Sequence, residues 1–376
     1  WPSNYGTGNG SGVPNASTTV YDFGDQPATG AGYGSLQVHD HVAKTTLLAY
    51  NAWSNAKYAA DVGIGNNTVK ASTGLLHSDW TFRRNAADYS LRRLRVFVRL
   101  GPTPGDLQIT LTSPGPRQVV QRDANGQAWM KVAGQLSQYA TTVQARAEAI
   151  DGGKSTGWAV VDPKPTSSFS GHLQLQQGWY AMHVRTMKDG AVTSSLKSAP
   201  FGIGEVFITA GQSNSANHGD APITPADPRV SAWGTGGWQH GADPQPIATG
   251  SGGTPWPPLG DLLAQRFGVP IGFISVGWGG TAVDQWRPYA ADGLYDRLLL
   301  ALATVGYQGA RAILWHQGES DAVSQTSSTD YASQLQEVID ATREDAGWPL
   351  PWGVALAAYL PGLAAESTQA ILDGQQ

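Results

Sequence analysis

The sequence predicts a multidomain protein: two N-terminal all-β sandwiches, then a three-layer α/β domain that stops short of its last strand. Three observations carry this. Up to residue 202 the apolar residues come in short alternating runs broken by glycine and asparagine, with no helix of convincing length. After Gly202, buried strands alternate with helical periodicity, which means βαβ crossovers and a parallel sheet. The 376 residues also exceed what one hydrophobic core usually organises.

Composition narrows the class. Hydrophobic residues make up 40% and charged residues 14%, with 47 glycines and 23 prolines, as suits a loop-rich globular chain. A net charge of −5 gives no basic footprint for nucleic acid. The absence of cysteine excludes disulfides, thiolate metal sites and cysteine catalysis. No apolar run approaches the ~20 residues that span a bilayer. The chain opens at Trp1 without a signal peptide, which reads as a mature, processed product.

Residues 1–18, rich in Gly, Ser, Asn and Thr, read as a flexible leader. Residues 19–115 read as a first sandwich, marked by Val20-Tyr21-Asp22-Phe23-Gly24, Leu94–Leu100 and the strictly alternating Leu107–Leu111. Residues 116–202 read as a second, immunoglobulin-like sandwich with strands at Gln118–Val120, Thr142–Ala147, His172–Leu175 and Trp179–Arg185. Tight turns at Gly152-Gly153 and Asp189-Gly190 separate them. Residues 203–376 form the α/β domain. Its strands are Val206–Ala210, Ile271–Val276, Ala312–Trp315 and Trp352–Ala357. Its helices are Pro258–Phe267, Leu294–Val305, Asp330–Ala346 and one from Ala364. Leu259, Leu262, Leu263 and Phe267 share the spacing of one face of the first helix. Four strands are one fewer than such a sheet normally carries.

The chemistry gathers at three loops. Gly211-Gln212-Ser213-Asn214 follows the first strand, and Gly277-Trp278-Gly279-Gly280-Thr281 with Asp284-Gln285-Trp286 follows the second. His316-Gln317-Gly318-Glu319-Ser320-Asp321 follows the third. Parallel strands raise all three loops at the same sheet edge, where open α/β sheets bind ligands. A turn serine, a glycine turn exposing N–H groups and a side-chain amide are the parts of an acyl-transfer site. Singly, each reads as ordinary turn chemistry; together they point to a site.

These blocks resemble those of the sialate O-acetylesterase-like carbohydrate esterases of the SGNH (GDSL-type) hydrolase superfamily, over roughly residues 203–376. The resemblance implies a flavodoxin-like SGNH domain and a serine esterase acting on acetylated oligo- or polysaccharides, without metal or other cofactor. It implies Ser213 as nucleophile and Gly280, or its neighbour Gly279, as a backbone oxyanion donor. Gln317 is the side-chain amide donor, and Glu319 organises the loop by accepting hydrogen bonds. Asn214, His218, Trp278, Trp286 and Trp233 are candidates for the sugar-facing wall. Tyr21–Asp25 with Arg83-Arg84-Asn85 more loosely resembles a galactose-binding-like sandwich, with scaffolding an equal reading. His39-Asp40-His41 lacks the further ligands a metal site needs.

The superfamily's base is a histidine from an Asp-x-x-His block after the last strand, and no such block follows Glu319. Three explanations stand: the block lies on a C-terminal companion fragment, which is favoured; His218 or His316 serves instead; or the chain is a non-catalytic glycan-binding relative. A GDSL-type lipase preferring longer acyl chains is the other alternative. A secreted or periplasmic location follows from the mature start and the polysaccharide substrates the resemblance implies.

Overall fold

A computed structural model describes residues 108–357 and 362–376, and before them the backbone of six strands. These are Thr19–Gly24 (β1), Tyr33–Val38 (β2), Ala49–Asn51 (β3), Val62–Lys70 (β4), Leu75–Phe82 (β5) and Arg92–Arg99 (β6). They pair antiparallel as β1-β2-β3 and β4-β5-β6. The galactose-binding-like segments and His39-Asp40-His41 have side chains outside the described residues.

The molecule is rich in strand with few helices. Ile109–Ser113 (β7), Gln127–Leu136 (β9) and Ser168–Gln176 (β12) form one antiparallel sheet, with Val119–Gln121 (β8) lying between β7 and β9 in sequence. Thr142–Asp151 (β10), Ala159–Asp162 (β11), Gly178–Lys188 (β13) and Ala191–Lys197 (β14) make a second. Alternation buries Met130, Val132, Leu173 and Leu175 from the first sheet against Val143, Ala145, Met182 and Val184 from the second, in one core. The structure corrects the expected boundary at residue 115: β7 pairs with β9 and so belongs to this unit, not to the one before it.

The next strand, Phe201–Gly211 (β15), is buried at every residue. Its first part lies between β13, antiparallel through Tyr180↔Phe201, and β8, parallel through Val119↔Gly202. Its second part lies between two parallel strands, Ile271–Ser275 (β18) and Ala312–His316 (β19). One strand thus runs through two sheets. The expected break at residues 202 and 203 falls inside it. Gly204 permits the passage, since a Cβ there would lie 2.0 Å from the Pro270 carbonyl oxygen.

Val230–Gly234 (β16) pairs parallel with β18 and carries the antiparallel Gly237–His240 (β17), while Trp352–Ala355 (β20) pairs parallel with β19. The order of parallel strands is β16-β18-β15-β19-β20. A fifth parallel strand is therefore present, at the β18 edge, where the sequence reading had only four.

Trp256–Phe267 (α1) starts with two prolines and ends at the left-handed Gly268. It buries Trp256, Gly260 and Ala264, whereas Leu262 and Phe267, expected on the apolar face, are exposed. Tyr295–Val305 (α2) and Ser328–Ala346 (α4) cover the sheet with Leu298, Leu302, Tyr331, Leu335 and Val338 in one core with Val206, Ile208 and Ile313. Ser327 caps α4 by accepting from the Asp330 N–H. The short Glu319–Val323 (α3) and Ala365–Gly374 (α5) complete the helices.

A buried carboxylate joins the sandwich to the parallel sheet. Glu205, 2% exposed, accepts from Arg122 Nε at 2.8 Å, Gln121 Nε2 at 2.8 Å and Arg311 Nε at 2.6 Å. Burial pushes its carboxyl up, but the hydrogen bonds from Arg311, Gln121 and Arg122 outweigh this and hold it below the usual range.

Candidate active site

Ser213 stands where β15 ends. Gly211, with φ of 120°, turns the chain, and Ser213–Ser215 forms a single 3-10 turn. That turn is fixed from beneath: Ser215 Oγ donates to the Gln212 carbonyl at 2.8 Å, and Trp256 Nε1 donates to the Ser215 carbonyl at 2.9 Å. Ser213 is half-buried, and no described side chain hydrogen-bonds its Oγ.

The three loops are laced together by backbone bonds. The Gln212 N–H donates to the His316 carbonyl at 3.0 Å, and the Trp278 N–H to the Gly211 carbonyl at 2.8 Å. Gln212 Oε1 accepts from the N–H groups of Gly318 at 3.3 Å and Ser320 at 3.0 Å. The sequence-predicted blocks therefore do meet at one sheet edge.

Their roles divide on inspection. Gly280 has φ of +74°, is exposed, and its N–H has no partner among the described residues. Gly279 is different, because its N–H is bound to Thr249 Oγ1 at 2.8 Å. Of the two expected backbone donors, only Gly280 is free to act.

Gln317 corrects the expectation of a side-chain oxyanion donor. It is fully buried. Its Nε2 donates to the Thr281 carbonyl at 3.0 Å and to Asp321 Oδ2 at 2.5 Å, with Gln212 Oε1 a third acceptor at 3.3 Å. Its Oε1 accepts from the Tyr331 hydroxyl at 3.0 Å. An amide has two N–H protons, and here three acceptors already compete for them. Gln317 is a strut, not a donor to substrate.

Asp321, which the sequence reading left without a role, is the other half of that strut. Besides Gln317 it accepts from the Val283 N–H at 2.9 Å, and burial pushes its carboxyl up. The Tyr331 hydroxyl is pushed up to about 12, chiefly by burial. Thr249 was also missed; it sits in a Gly/Ser/Thr-rich stretch with no distinguishing pattern.

Glu319, expected to organise its loop, accepts at Oε1 from Asn214 Nδ2, while its Oε2 is buried without a hydrogen-bond partner among the described residues. His316 Nε2 lies 3.9 Å from Glu319 Oε1. His218 is exposed, its Nε2 3.4 Å from Thr249 Oγ1, with its ring over Gly279. Neither histidine hydrogen-bonds Ser213.

The tryptophans separate cleanly. Trp278 is 42% exposed, with the Arg297 guanidinium 4.8 Å from its ring centroid, and Arg297 is itself anchored on the Val276 carbonyl at 2.8 Å. Trp286 is corrected from sugar wall to core: it is fully buried, edge-on to Trp315 at 5.4 Å, and donates to Thr281 Oγ1 at 2.9 Å. Trp233 packs beside the same core from β16, opposite Trp238. A polar cleft of about 650 Å³, lined by Arg122, Asn125, Lys154, Gln177 and Arg311, lies at the other edge of the sheet.

The arrangement is a serine hydroxyl at the end of a central strand, with the unpartnered N–H of Gly280 and the exposed indole of Trp278 on the loop that follows the neighbouring strand. Comparison with solved structures finds similarity to a carbohydrate acetylesterase from Xanthomonas citri, XAC1771, at 19% identity. That match covers 71% of this chain and 66% of that one, with a TM-score of 0.45. This chain thus spans just under two thirds of that protein. A protein of Arabidopsis thaliana is 19% identical over 45% of this chain and 79% of its own, with a TM-score of 0.37. NanS is 18% identical over 40% and 66%, with a TM-score of 0.30. No curated protein sequence matches. The family model described as "carbohydrate esterase, sialic acid-specific acetylesterase" matches residues 203–371. The three laced loops and the parallel strands, from Ile203 of β15 onward, fall within that span, over which the chain is similar to that carbohydrate esterase family.

Proposed function

We propose that this chain is a serine esterase that removes O-acetyl groups from carbohydrates through an acetyl-enzyme. The observation that carries the reading is Ser213 at the end of β15, facing no competing hydrogen bond among the described residues, with the unpartnered N–H of Gly280 on the loop after the adjacent strand β18. Ser213 Oγ attacks the acetyl carbonyl carbon while a base takes its proton. The tetrahedral oxyanion rests on the N–H groups of Ser213 and Gly280. The bond to the sugar oxygen then breaks, and the proton passes to that oxygen. Water repeats the sequence on the acetyl-enzyme and releases acetate.

The domain is read as an SGNH-type, flavodoxin-like hydrolase domain behind two β modules. Its substrate is an acetylated oligo- or polysaccharide, encountered in the secreted or periplasmic space. No described helix is long and apolar enough to cross a membrane. The base is a histidine of an Asp-x-x-His block carried by a companion segment, since neither His218 nor His316 hydrogen-bonds Ser213.

The test is a nitrophenyl ester series together with an organophosphonate label. Acetate ester cleavage that falls steeply with acyl length, and a label on Ser213 that is lost in Ser213→Ala, support the reading. Preference for long acyl chains makes the protein a lipase-type enzyme. Glycan binding without labelling makes it a binding protein.

A further inference from the structure

The geometry points to the side-chain amide of Gln212 as the third oxyanion donor, in the place expected of Gln317. This rests on the reading of Ser213 as nucleophile.

The orientation of the Gln212 amide is fixed by its partners. The atom facing the third loop receives two backbone N–H groups, from Gly318 at 3.3 Å and Ser320 at 3.0 Å. Backbone N–H groups only donate, so that atom must be the carbonyl oxygen. The NH2 group is therefore on the other side of the carboxamide, away from the third loop. Among the described residues it has no hydrogen-bond partner, and it is not among the fully buried polar atoms left unpaired. Gln212 as a whole is only 4% exposed. It is a nearly buried, rigidly held donor adjoining the nucleophile, with two protons to spare. Preorganisation of this kind is what oxyanion stabilisation needs, because no reorganisation is left for the moment of reaction.

Gln317 completes the argument by elimination and by support. Its protons are spent on Thr281 and Asp321, and it adds a third, longer contact to Gln212 Oε1 at 3.3 Å. Asp321 holds Gln317, and Gln317 with the third-loop backbone holds Gln212. The two amides of the family blocks thus have different tasks: Gln212 touches the reacting oxygen, and Gln317 is a positioning residue.

Gln212→Glu tests this, because it keeps the oxygen that binds Gly318 and Ser320 while replacing NH2 by an oxygen. The expected result is a fall in kcat of roughly 100-fold or more with KM changed less than about threefold, the usual cost of losing one oxyanion donor. The ratio of variant to wild-type kcat should then rise as pH is lowered, since the introduced carboxyl regains a donor when it is protonated. A flat ratio, or a variant as active as wild type, overturns the proposal. A readout that needs no variant is a crystal structure of the wild-type phosphonate adduct. There Gln212 Nε2 should lie about 3 Å from the phosphoryl oxygen. A phosphoryl oxygen held by Gln317, or a Gln212 amide turned away, refutes the assignment. Failure of Ser213 to form the adduct refutes the underlying esterase reading instead, so the two failures are told apart.

Discussion

Gly211 passes so close to His316 that a Cβ on the glycine would lie 2.1 Å from the His316 carbonyl oxygen. The contact is backbone on backbone, so no rotamer change relieves it. It is also what lets the Gln212 N–H reach that same carbonyl and ties the Ser213 turn to the third loop.

Gly211→Ala should therefore be costly. The added methyl meets the His316 carbonyl and the residue is held at φ of 120°. A loss of about 3 kcal/mol or more is expected. Urea denaturation checks it; a variant within about 1 kcal/mol of wild type would mean the turn adapts.

The two tryptophans of the second loop should behave oppositely. Trp278→Ala, at an exposed indole backed by Arg297, should raise KM for an acetylated oligosaccharide about tenfold and leave nitrophenyl acetate and thermal stability nearly unchanged. Trp286→Ala should cost about 3–5 kcal/mol in stability because it empties a fully buried site. Steady-state kinetics and denaturation of the two variants decide the matter. Equal effects on KM would place both rings at the substrate.

His218→Asn and His316→Asn test where the base lies. With the base on a companion segment, both variants should keep kcat within about tenfold and still take the phosphonate on Ser213. A fall of ~10³-fold or more in one of them, the scale of a lost general base, would assign the role to that histidine.

Glu205 sets an acid limit. Its carboxyl is held below the ordinary range in the folded protein, so the unfolded state binds the proton more readily. Stability from this group is present above the unfolded carboxylate range and is lost as pH falls through the folded value. Glu205→Gln should remove about 3–5 kcal/mol near pH 7 by leaving Arg122 and Arg311 unpaired. It should also flatten the decline below about pH 4. Unfolding midpoints across pH give both readouts, and parallel curves for variant and wild type would rule out the linkage.

The α/β half was legible because its strands and helices differ in period, as Ile271–Val276 and Asp330–Ala346 show. The extra strand β16 was hidden, since Val230-Ser231-Ala232-Trp233-Gly234 is short and three of its five residues are small. The start of β15 was hidden by Gly202 and Gly204, which look like linker residues. Their smallness instead reflects close approach to Pro270, which pairing alone reveals. Ser213 and Gly280 were legible because a strand end and a glycine turn fix where they stand. Gln317 was not, because which way a buried amide points depends on Thr281, Asp321 and Tyr331, three partners from three separate segments.

β15 has a practical corollary. The family-matched span begins at residue 203, two residues after the strand itself does. A truncated protein cut at that point would start in mid-strand, shedding Phe201 and Gly202 and baring backbone that β8 and β13 normally cover. Such an exposed edge invites aggregation. The parallel-sheet half and the sandwich before it are inseparable by scissors at that seam, and shuffling either onto another partner would require carrying the shared strand along.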